Sequence, residues 1–249
     1  MNLKLSVFII AFNEERILED CLKKLYWVDE IIVVDSGSTD NTVTICEKYN
    51  AKVYYRKFDG FGEQKQFALN QTSNDWVLSL DADEVLTDSL IDEIKFNIET
   101  NPKDFAGYYI KCRMVFLGKT FNFGNESNRN ILRLFNKTKG DFCLTSVHEE
   151  IIVKGKTKKL QGHYLHYSYA SIQAFISKLN TYTQLGAANR FAKNKKYSFY
   201  SIIIKTIFEF VKKFLFELNI LNGKSGFHWS LLSAFSTYVK CIKTNEYTK

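Results

Sequence analysis

The chain has 249 residues, of which 45% are hydrophobic and 24% are charged, so it has room for one full hydrophobic core with a small addition but not for two large domains. A single proline and the absence of Gly/Ser/Pro runs exclude a long disordered linker. The net charge of +7 is unevenly placed, because residues 1–150 hold 18 basic and 24 acidic residues (net −6) and residues 151–249 hold 16 basic and 3 acidic residues (net +13).

The first hundred residues alternate between buried strands and helices. Apolar runs predict strands over 5–11, 30–34, 51–55 and 75–80, whereas helical spacing predicts helices over 14–27, 40–49, 61–70 and 87–99. This alternation indicates an α/β fold with a parallel sheet and helices on both faces. Ligands of such sheets bind at the carboxyl ends of the strands, where three polar clusters fall: Phe12-Asn13-Glu14, Asp35-Ser36-Gly37-Ser38 and Asp81-Ala82-Asp83.

A different pattern follows from about residue 105 to 168, with short strands predicted over 107–116, 131–135 and 158–166. After Ser171 the chain becomes helical, and its last helix is predicted over 227–242. We therefore expect a sheet domain over residues 1–168 and a helical segment over residues 169–249.

The segment 198–221 combines large apolar residues with five charges. At 100° per residue these charges fall on one arc of roughly 140°: Lys205, Glu209, Lys212, Lys213 and Glu217. So many charges argue against a membrane-spanning helix. The pattern favours an amphipathic helix at a membrane interface, with lysines toward lipid phosphates; the alternative is a helix packed on its neighbours. The +13 charge of the C-terminal part points to an anionic partner or, alternatively, to a Lys-rich solvated surface.

The five cysteines form no C-x-x-C pair and are widely spaced. Neither a disulfide framework nor a zinc site is indicated, and a reducing cytoplasm is expected. The apolar run 5–12 is too short to cross a bilayer and lacks a cleavage signal, so we expect it to be a buried strand.

The pair Asp81 and Asp83 directly follows the strand predicted over 75–80. Two carboxylates at a strand end are the hard oxygen ligands that bind Mg²⁺ or Mn²⁺, and such a cation neutralises charge on a leaving diphosphate. The alternative is a pair of surface aspartates that caps the next helix.

Three ordered motifs resemble the family 2 glycosyltransferases, which have the GT-A fold. They lie at residues 7–15 (VFIIAFNEE), 31–42 (IIVVDSGSTDNT) and 78–84 (LSLDADE). The lipopolysaccharide-core subgroup, which includes glucosyltransferases, is similar at 60–69, 132–135, 147–149, 165–169 and 221–227, with Asn222 where its members usually have Asp. The resemblance runs from about residue 3 to 242.

The resemblance implies that Ala11, Phe12 and Glu14 would border the nucleotide base and that Asp81 would lie near the ribose and the metal. Asp35 would accept a hydrogen bond from the base, while Ser38 and Thr39 would cap the next helix. Lys65 would contact the donor's phosphates or base, the alternative being a helix-surface lysine. The expected nucleotide-sugar-binding set is Ala11, Phe12, Glu14, Asp35, Lys65, Asp81, Ala82 and Asp83.

Metal ligation is expected from Asp83 together with a histidine. His166 is similar to the late histidine that completes the metal site of many GT-A enzymes, and His163 is the competing candidate. The implied cofactor is a divalent cation, Mg²⁺ or Mn²⁺.

For the reaction itself, Glu149 is the candidate catalytic base, because residues 147–149 resemble the subgroup's motif where GT-A enzymes place it. Its neighbour Glu150 and His148 are the alternatives. Arg129 and Arg133 could bind acceptor phosphate or carboxylate, or they could be strand residues whose heads lie in solvent.

The resulting hypothesis is an inverting, metal-dependent hexosyltransferase. It would transfer a hexose, with glucose as the first candidate, from a UDP-sugar to a glycolipid such as the lipopolysaccharide inner core. The expected partners are the donor, the acceptor and an anionic membrane surface on the cytoplasmic face of the inner membrane. The rivals are a polyprenyl-phosphate acceptor and a basic nucleic-acid-binding protein on an inactive scaffold; no nucleic acid is expected, since RNA-binding aromatic motifs are missing from the sequence.

Overall fold

The computed structural model describes residues 4–100, 104–143 and 150–247. They group into two compact units: Met1–Cys112 with Arg129–Tyr167, and Arg113–Asn128 with Ser168–Lys249. The segment 113–128 is thus grouped with the C-terminal residues, and the boundary expected after residue 168 stays a prediction.

The first unit is built on a mixed sheet whose parallel half follows the predicted alternation. Its first four strands are β1 (Leu5–Ala11), β2 (Glu30–Asp35), β3 (Lys52–Tyr55) and β4 (Trp76–Asp81). They lie in the order β3-β2-β1-β4 and all pair in parallel, with Ala11 opposite Asp35 and Ile10 opposite Asp81. The ends of β1, β2 and β4 therefore meet at one edge, which brings the three polar motifs together.

The remaining strands are shorter or pair antiparallel. They are β5 (Glu84–Leu86), β6 (Gly107–Phe116), β7 (Lys119–Thr120), β8 (Asn130–Asn136), β9 (Gly140–Cys143), β10 (Glu150–Val153) and β11 (Thr157–Tyr169). The sheet continues from β4 through β8, β6 and β11 to β5, while β7 pairs with β6, and β9 and β10 form a separate two-stranded sheet.

Helices cover both faces of the sheet, as the alternation predicts. They are α1 (Leu18–Lys23), α2 (Thr42–Lys48), α3 (Phe61–Asn70) and α4 (Asp88–Thr100). Side chains of β1 alternate between the two cores, since Val7 and Ile9 pack with α1 and α4 whereas Phe8 packs with Ala68 of α3. The α/β fold expected from the sequence is confirmed.

The first helix is shorter than predicted, Leu18–Lys23 rather than 14–27. Asn13 has a φ of 55°, and Glu14 begins a turn in which its carbonyl accepts hydrogen bonds from the backbone N–H groups of Ile17 and Leu18. The apolar periodicity extends through this turn, which is why the pattern overestimates the helix.

A buried carboxylate stabilises the opposite, amino end of the parallel strands. Glu30 of β2 is 8% exposed and accepts hydrogen bonds from the hydroxyl groups of Ser6 (2.6 Å) and Ser73 (2.8 Å) and from Lys52 (2.9 Å). Burial alone would raise the pKa of Glu30, but the bonds from Lys52, Ser6 and Ser73 outweigh it and lower this pKa to about 2.

The second unit contains α5 (Ile172–Ala192), α6 (Phe199–Val211) and α7 (Lys224–Glu246). A small aromatic core joins α5 and α7 to the segment 114–121. Ser171 caps α5 by accepting the N–H of Ala174 (3.1 Å), and the helical segment begins directly after Ser171 as predicted. The helix predicted over 198–221 breaks instead into α6, a π-helical turn (Lys212–Phe216) and a 3₁₀ turn (Asn219–Asn222). Across the described ranges, the structure contains no helix that is both long and apolar enough to cross a membrane.

Asn222, the position where the similar subgroup usually has Asp, is a buried connector in this unit. Its Oδ1 accepts hydrogen bonds from the backbone N–H groups of Asn122 (3.1 Å) and Phe123 (3.3 Å). Its Nδ2 donates to the carbonyl of Phe123 (3.0 Å) and to Oδ1 of Asn219 (3.1 Å). An aspartate could accept the first two bonds but could not donate the others, so the amide fits this environment.

Candidate functional site

The loops that follow β1 and β2 are held together by side-chain hydrogen bonds. The backbone N–H of Asn13 donates to Oγ of Ser38 (2.9 Å), and the Oδ1 of Asn13 accepts a hydrogen bond from the backbone N–H of Thr39 (2.8 Å). The N–H of Glu14 donates to Oγ1 of Thr42 (2.9 Å). These contacts fix the wall of the site beside the strand ends.

Asp35 organises the second of these loops. Its Oδ2 accepts the N–H groups of Gly37 (2.8 Å) and Ser38 (2.9 Å), and its Oδ1 accepts the Ser38 hydroxyl. Gly37 has a φ of 97°, a conformation that side chains disfavour. The expectation that Ser38 and Thr39 cap α2 is wrong, because the residue at the cap position is Asn41; Ser38 is bonded to Asp35 instead.

The residues expected near the base lie at the ends of β1 and β2. Ala11 is buried and stands opposite Asp35, whose side chain is also buried. Phe12 is 55% exposed, which leaves its ring accessible to a stacking base. Glu14 is half-buried.

A chain of alternating charges lies at the end of β4. Lys65 of α3 is buried, and its Nζ lies 3.0 Å from Oδ1 of Asp81. The Oδ2 of Asp81 lies 3.0 Å from Nη2 of Arg133 on β8, and the same Nη2 contacts Oε1 of Glu84. The second oxygen of Glu84 accepts the backbone N–H of Asp81 (3.0 Å), which closes the network.

Burial and charge act in opposite directions on these carboxyl groups. Burial favours the neutral form of Asp81, but Arg133 and Lys65 outweigh it and hold the pKa of Asp81 well below its usual range. Burial raises the pKa of Glu84, with Arg133 opposing it. Lys65 is therefore not a helix-surface lysine, and Arg133, at 6% exposure, is not a strand residue with its head in solvent.

Asp83 and His166 converge beside this network. The Oδ2 of Asp83 lies 3.3 Å from Nε2 of His166, while Nδ1 of His166 lies 3.9 Å from the Sγ of Cys112. Burial would lower the pKa of His166, but the bonds to Asp83 and Cys112 outweigh it and raise this pKa to about 11. His163 stands three residues earlier on the same strand, hence on its opposite face.

The Asp83–His166 pair fits a divalent cation. A carboxylate oxygen and an imidazole nitrogen already lie within 3.3 Å of each other, and this is a ligand set that Mg²⁺ or Mn²⁺ accepts. The described part of the chain holds no cluster of three or more His, Cys, Asp or Glu residues suited to a metal. Substrate oxygens or water would therefore supply the remaining ligands.

A cavity of about 390 Å³ opens over these groups. Its lining residues include Lys65, Asp81, Arg133, His166 and the exposed Arg129, so both predicted acceptor-binding arginines lie on it. Glu150 also lines the cavity. The candidate base Glu149 and its neighbour His148 lie outside the described residues.

Ala82 is buried between the two aspartates. Two further residues of the site were not predicted from the sequence: Glu84, which holds Arg133, and Tyr164, whose ring centre lies 5.7 Å from the Arg133 guanidinium. Glu84 belongs to the quoted LSLDADE motif, which marks it as notable. Its pairing with a residue 49 positions away cannot be read from spacing.

The sequence profile of "Glycosyl transferase family 2" matches residues 6–153. The chain belongs to this family. Among similar relatives of this family 2 glycosyltransferase, an uncharacterised glycosyltransferase of Rickettsia typhi is 32% identical, covering 98% of this chain and 87% of its own length. The lipopolysaccharide core biosynthesis glycosyltransferase LpsC of Rhizobium meliloti is 31% identical, and the match covers 97% of this chain and 92% of LpsC. The resemblance read from the motifs is thus confirmed.

Solved structures similar to this family 2 glycosyltransferase include residues 1–349 of S. aureus TarS. The two chains are 17% identical, the match covers 99% of this chain and 91% of that chain, and the TM-score is 0.49. Glucosyl-3-phosphoglycerate synthase from Mycobacterium tuberculosis is 27% identical over 45% of this chain and 44% of that chain, with a TM-score of 0.38.

Proposed function

We propose that this glycosyltransferase transfers a hexose, with glucose as the first candidate, from a UDP-sugar to a cell-surface glycolipid such as the lipopolysaccharide inner core. The observation that carries the proposal is the cavity in which Lys65, Arg133, Asp81 and His166 converge at the carboxyl end of β4. The acceptor class is supported by the similarity to LpsC, whose name places it in lipopolysaccharide core biosynthesis.

The donor's diphosphate would bind where cations and metal ligands meet. A divalent cation held by Asp83 and His166 would supply positive charge to stabilise the leaving diphosphate. Because a metal ligand must be unprotonated, the cation would take the place of the proton that His166 shares with Asp83. Lys65, whose Nζ lies 3.0 Å from Oδ1 of Asp81, would add a second positive charge beside the diphosphate oxygens.

The sugar transfer would proceed by direct displacement with inversion. The acceptor hydroxyl oxygen forms a bond to the anomeric carbon as the bond from that carbon to the diphosphate oxygen breaks. The hydroxyl proton passes to a carboxylate. We propose Glu149 for this carboxylate on the strength of its motif, and Glu150, which lines the cavity, is its direct competitor.

Arg129 and Arg133 would have different roles at the acceptor side of the cavity. Arg129 is exposed and lines the cavity, so its fork is available to a phosphate or carboxylate of the acceptor. The Arg133 guanidinium is occupied by Asp81 and Glu84. We therefore propose acceptor contact for Arg129 and a positioning role for Arg133.

The enzyme would work on the cytoplasmic face of the inner membrane, where a glycolipid acceptor is in reach. A polyprenyl-phosphate acceptor remains the rival within this enzyme class, since its phosphate oxygen needs no base. A nucleic-acid-binding role on an inactive scaffold is disfavoured because Asp81 and Asp83 are both present at the end of β4, where a scaffold without activity would have no need of them.

The test is a transfer assay with purified protein, UDP-glucose and lipopolysaccharide truncated at the inner core, with product mass as the readout. Gain of one hexose is the expected result, and Arg129→Met should raise KM for this acceptor. Transfer to a polyprenyl phosphate and none to lipopolysaccharide would favour the rival acceptor. Failure with every UDP-hexose and both acceptors would contradict the proposal.

A further inference from the structure

Helix α6 turns its apolar side outward. Four large apolar residues, Tyr200, Ile204, Ile207 and Phe208, are between 59% and 77% exposed. Their spacing of four, three and one residues places them on one face of the helix. We call these four residues the apolar face of α6.

Charged residues that follow α6 in the same segment form ion pairs inside the second unit. The Nζ of Lys213 contacts Glu126 and lies 3.0 Å from Oε2 of Glu217, and the side chains of Lys213 and Glu217 are only 15% and 6% exposed. Lys212 lies 3.6 Å from the other Glu217 oxygen. The charges of Lys213 and Glu217 thus lie against the fold rather than in solvent. Helix α6 also packs apolar residues inward, since Ile202 is buried and the Phe210 ring lies 5.7 Å from that of Phe227 on α7.

Apolar exposure continues past the end of α6. Phe216 is 74% exposed, Leu218 49% and Leu221 57%. Soluble monomers rarely present large contiguous apolar patches, and those that exist usually mark a partner or membrane contact. The apolar face of α6 therefore needs an occupant.

Charge identifies that occupant. Residues 190–208 contain five basic residues and no acidic one: Arg190, Lys193, Lys195, Lys196 and Lys205. The four lysines are exposed. A second copy of the chain seated on this face would bring two such basic segments together, and like charges oppose that. An anionic bilayer offers phosphates to the lysines and an acyl boundary to the apolar face.

We propose that the apolar face of α6 inserts into the interface of an anionic membrane, with the lysines of 193–205 on the lipid phosphates. This inference rests on the proposed function only for its purpose, which is to hold the enzyme where a glycolipid acceptor lies. The binding itself is a property of the second unit and can be measured without any transfer reaction.

The experiment uses the full chain and sedimentation with vesicles of phosphatidylglycerol and phosphatidylcholine. Wild type should bind these vesicles, and binding should fall in high salt and with pure phosphatidylcholine. The double variant Ile204→Asp/Ile207→Asp should bind about tenfold or more weakly. Its thermal melting should be unchanged, because both side chains are exposed.

Two further variants make the result specific. Phe96→Asp alters an equally exposed aromatic residue (61%) on α4 of the first unit and should bind like wild type. Lys193→Gln/Lys195→Gln/Lys196→Gln should weaken binding at low salt and flatten its salt dependence. Wild-type vesicle binding by the Ile204/Ile207 variant would overturn the proposal, as would loss of a dimer by that variant, on sedimentation velocity, without loss of vesicle binding.

The outcome is separable from that of the proposed function. With a lipid-free oligosaccharide acceptor, the Ile204/Ile207 variant should keep wild-type transfer, since no residue of the cavity is altered. Absence of transfer by the wild type to this acceptor, to lipopolysaccharide and to a polyprenyl phosphate would contradict the proposed function and leave the vesicle result standing.

Discussion

Replacing Arg133 by Met tests whether the charge network beneath the cavity is organised as described. Met retains much of the side-chain volume but removes the guanidinium that lies 3.0 Å from Asp81 and also contacts Glu84. Glu84 is 1% exposed, so its charge would be left without its cation. Removing one partner of a buried pair costs about 3–5 kcal/mol, and for a chain of this size that lowers Tm by roughly 10 °C.

The loss should depend on pH in a direction that the structure fixes. Burial already raises the pKa of Glu84, with Arg133 opposing it, so the variant raises this pKa further. A carboxyl group whose pKa is raised in the folded state favours folding most below its unfolded value, 4.5, and loses that contribution as pH rises through the folded value. The Arg133→Met deficit should therefore be larger at pH 8 than at pH 5.

Urea denaturation at these two pH values measures the effect. Arg129→Met is the matched control, because Arg129 lines the same cavity but is exposed; its free energy of unfolding should change by less than about 0.5 kcal/mol. Adding Glu84→Gln to Arg133→Met should remove the pH dependence and recover part of the loss. An Arg133→Met deficit below about 1 kcal/mol at pH 8 would refute the reasoning.

Three further predictions concern the metal, the base and the acid limit of stability. Asp83→Ala should abolish transfer, and EDTA should do the same to the wild type; full turnover in excess EDTA would remove the cation from the proposal. Glu149→Gln should keep donor binding but lose transfer by about 10²–10⁴-fold, whereas Glu150→Gln should change little; the reverse result in a single-turnover assay would assign the base to Glu150. The pKa of Glu30, lowered from 4.5 to about 2, gives stability above pH 4.5 that is lost as pH falls toward 2. After allowance for screening at the exposed Lys52, Glu30→Gln should cost about 2 kcal/mol at pH 7 and close to nothing at pH 2, and equal losses at both pH values in acid denaturation would contradict this assignment.

The parallel half of the sheet could be predicted because its strands are continuous apolar runs. The run Leu5–Ala11 and the helix Phe61–Asn70 have the bounds that the pattern gives. The position of Asp81 and Asp83 at the end of β4 follows from the same reasoning, since a polar pair after an apolar run marks a strand end. Local pattern was sufficient there.

Elements that depend on distant partners were not predictable in this way. The strand β5 has three residues and exists because it pairs with β11, with Glu84 opposite His166. The partnership of Lys65, Arg133 and Asp81 joins residues far apart in sequence, each of which also has an ordinary surface explanation. Periodicity placed the charges of 198–221 on one arc of a continuous helix, but the α-helix ends at Val211 and Lys213 pairs with Glu126, a residue of another segment.

The hydrogen bonds between the loops after β1 and β2 have a consequence for the entropy of ligand binding. Glu15 and Asp40 extend the set, since the N–H of Glu15 donates to Asp40 (3.2 Å) and its carboxylate accepts the N–H of Asn41 (3.0 Å). Loops ordered in this way lose their conformational freedom during folding rather than on encounter with a nucleotide. A ligand resting on this wall would therefore meet a preorganised surface, and a larger share of its contact energy would appear as affinity.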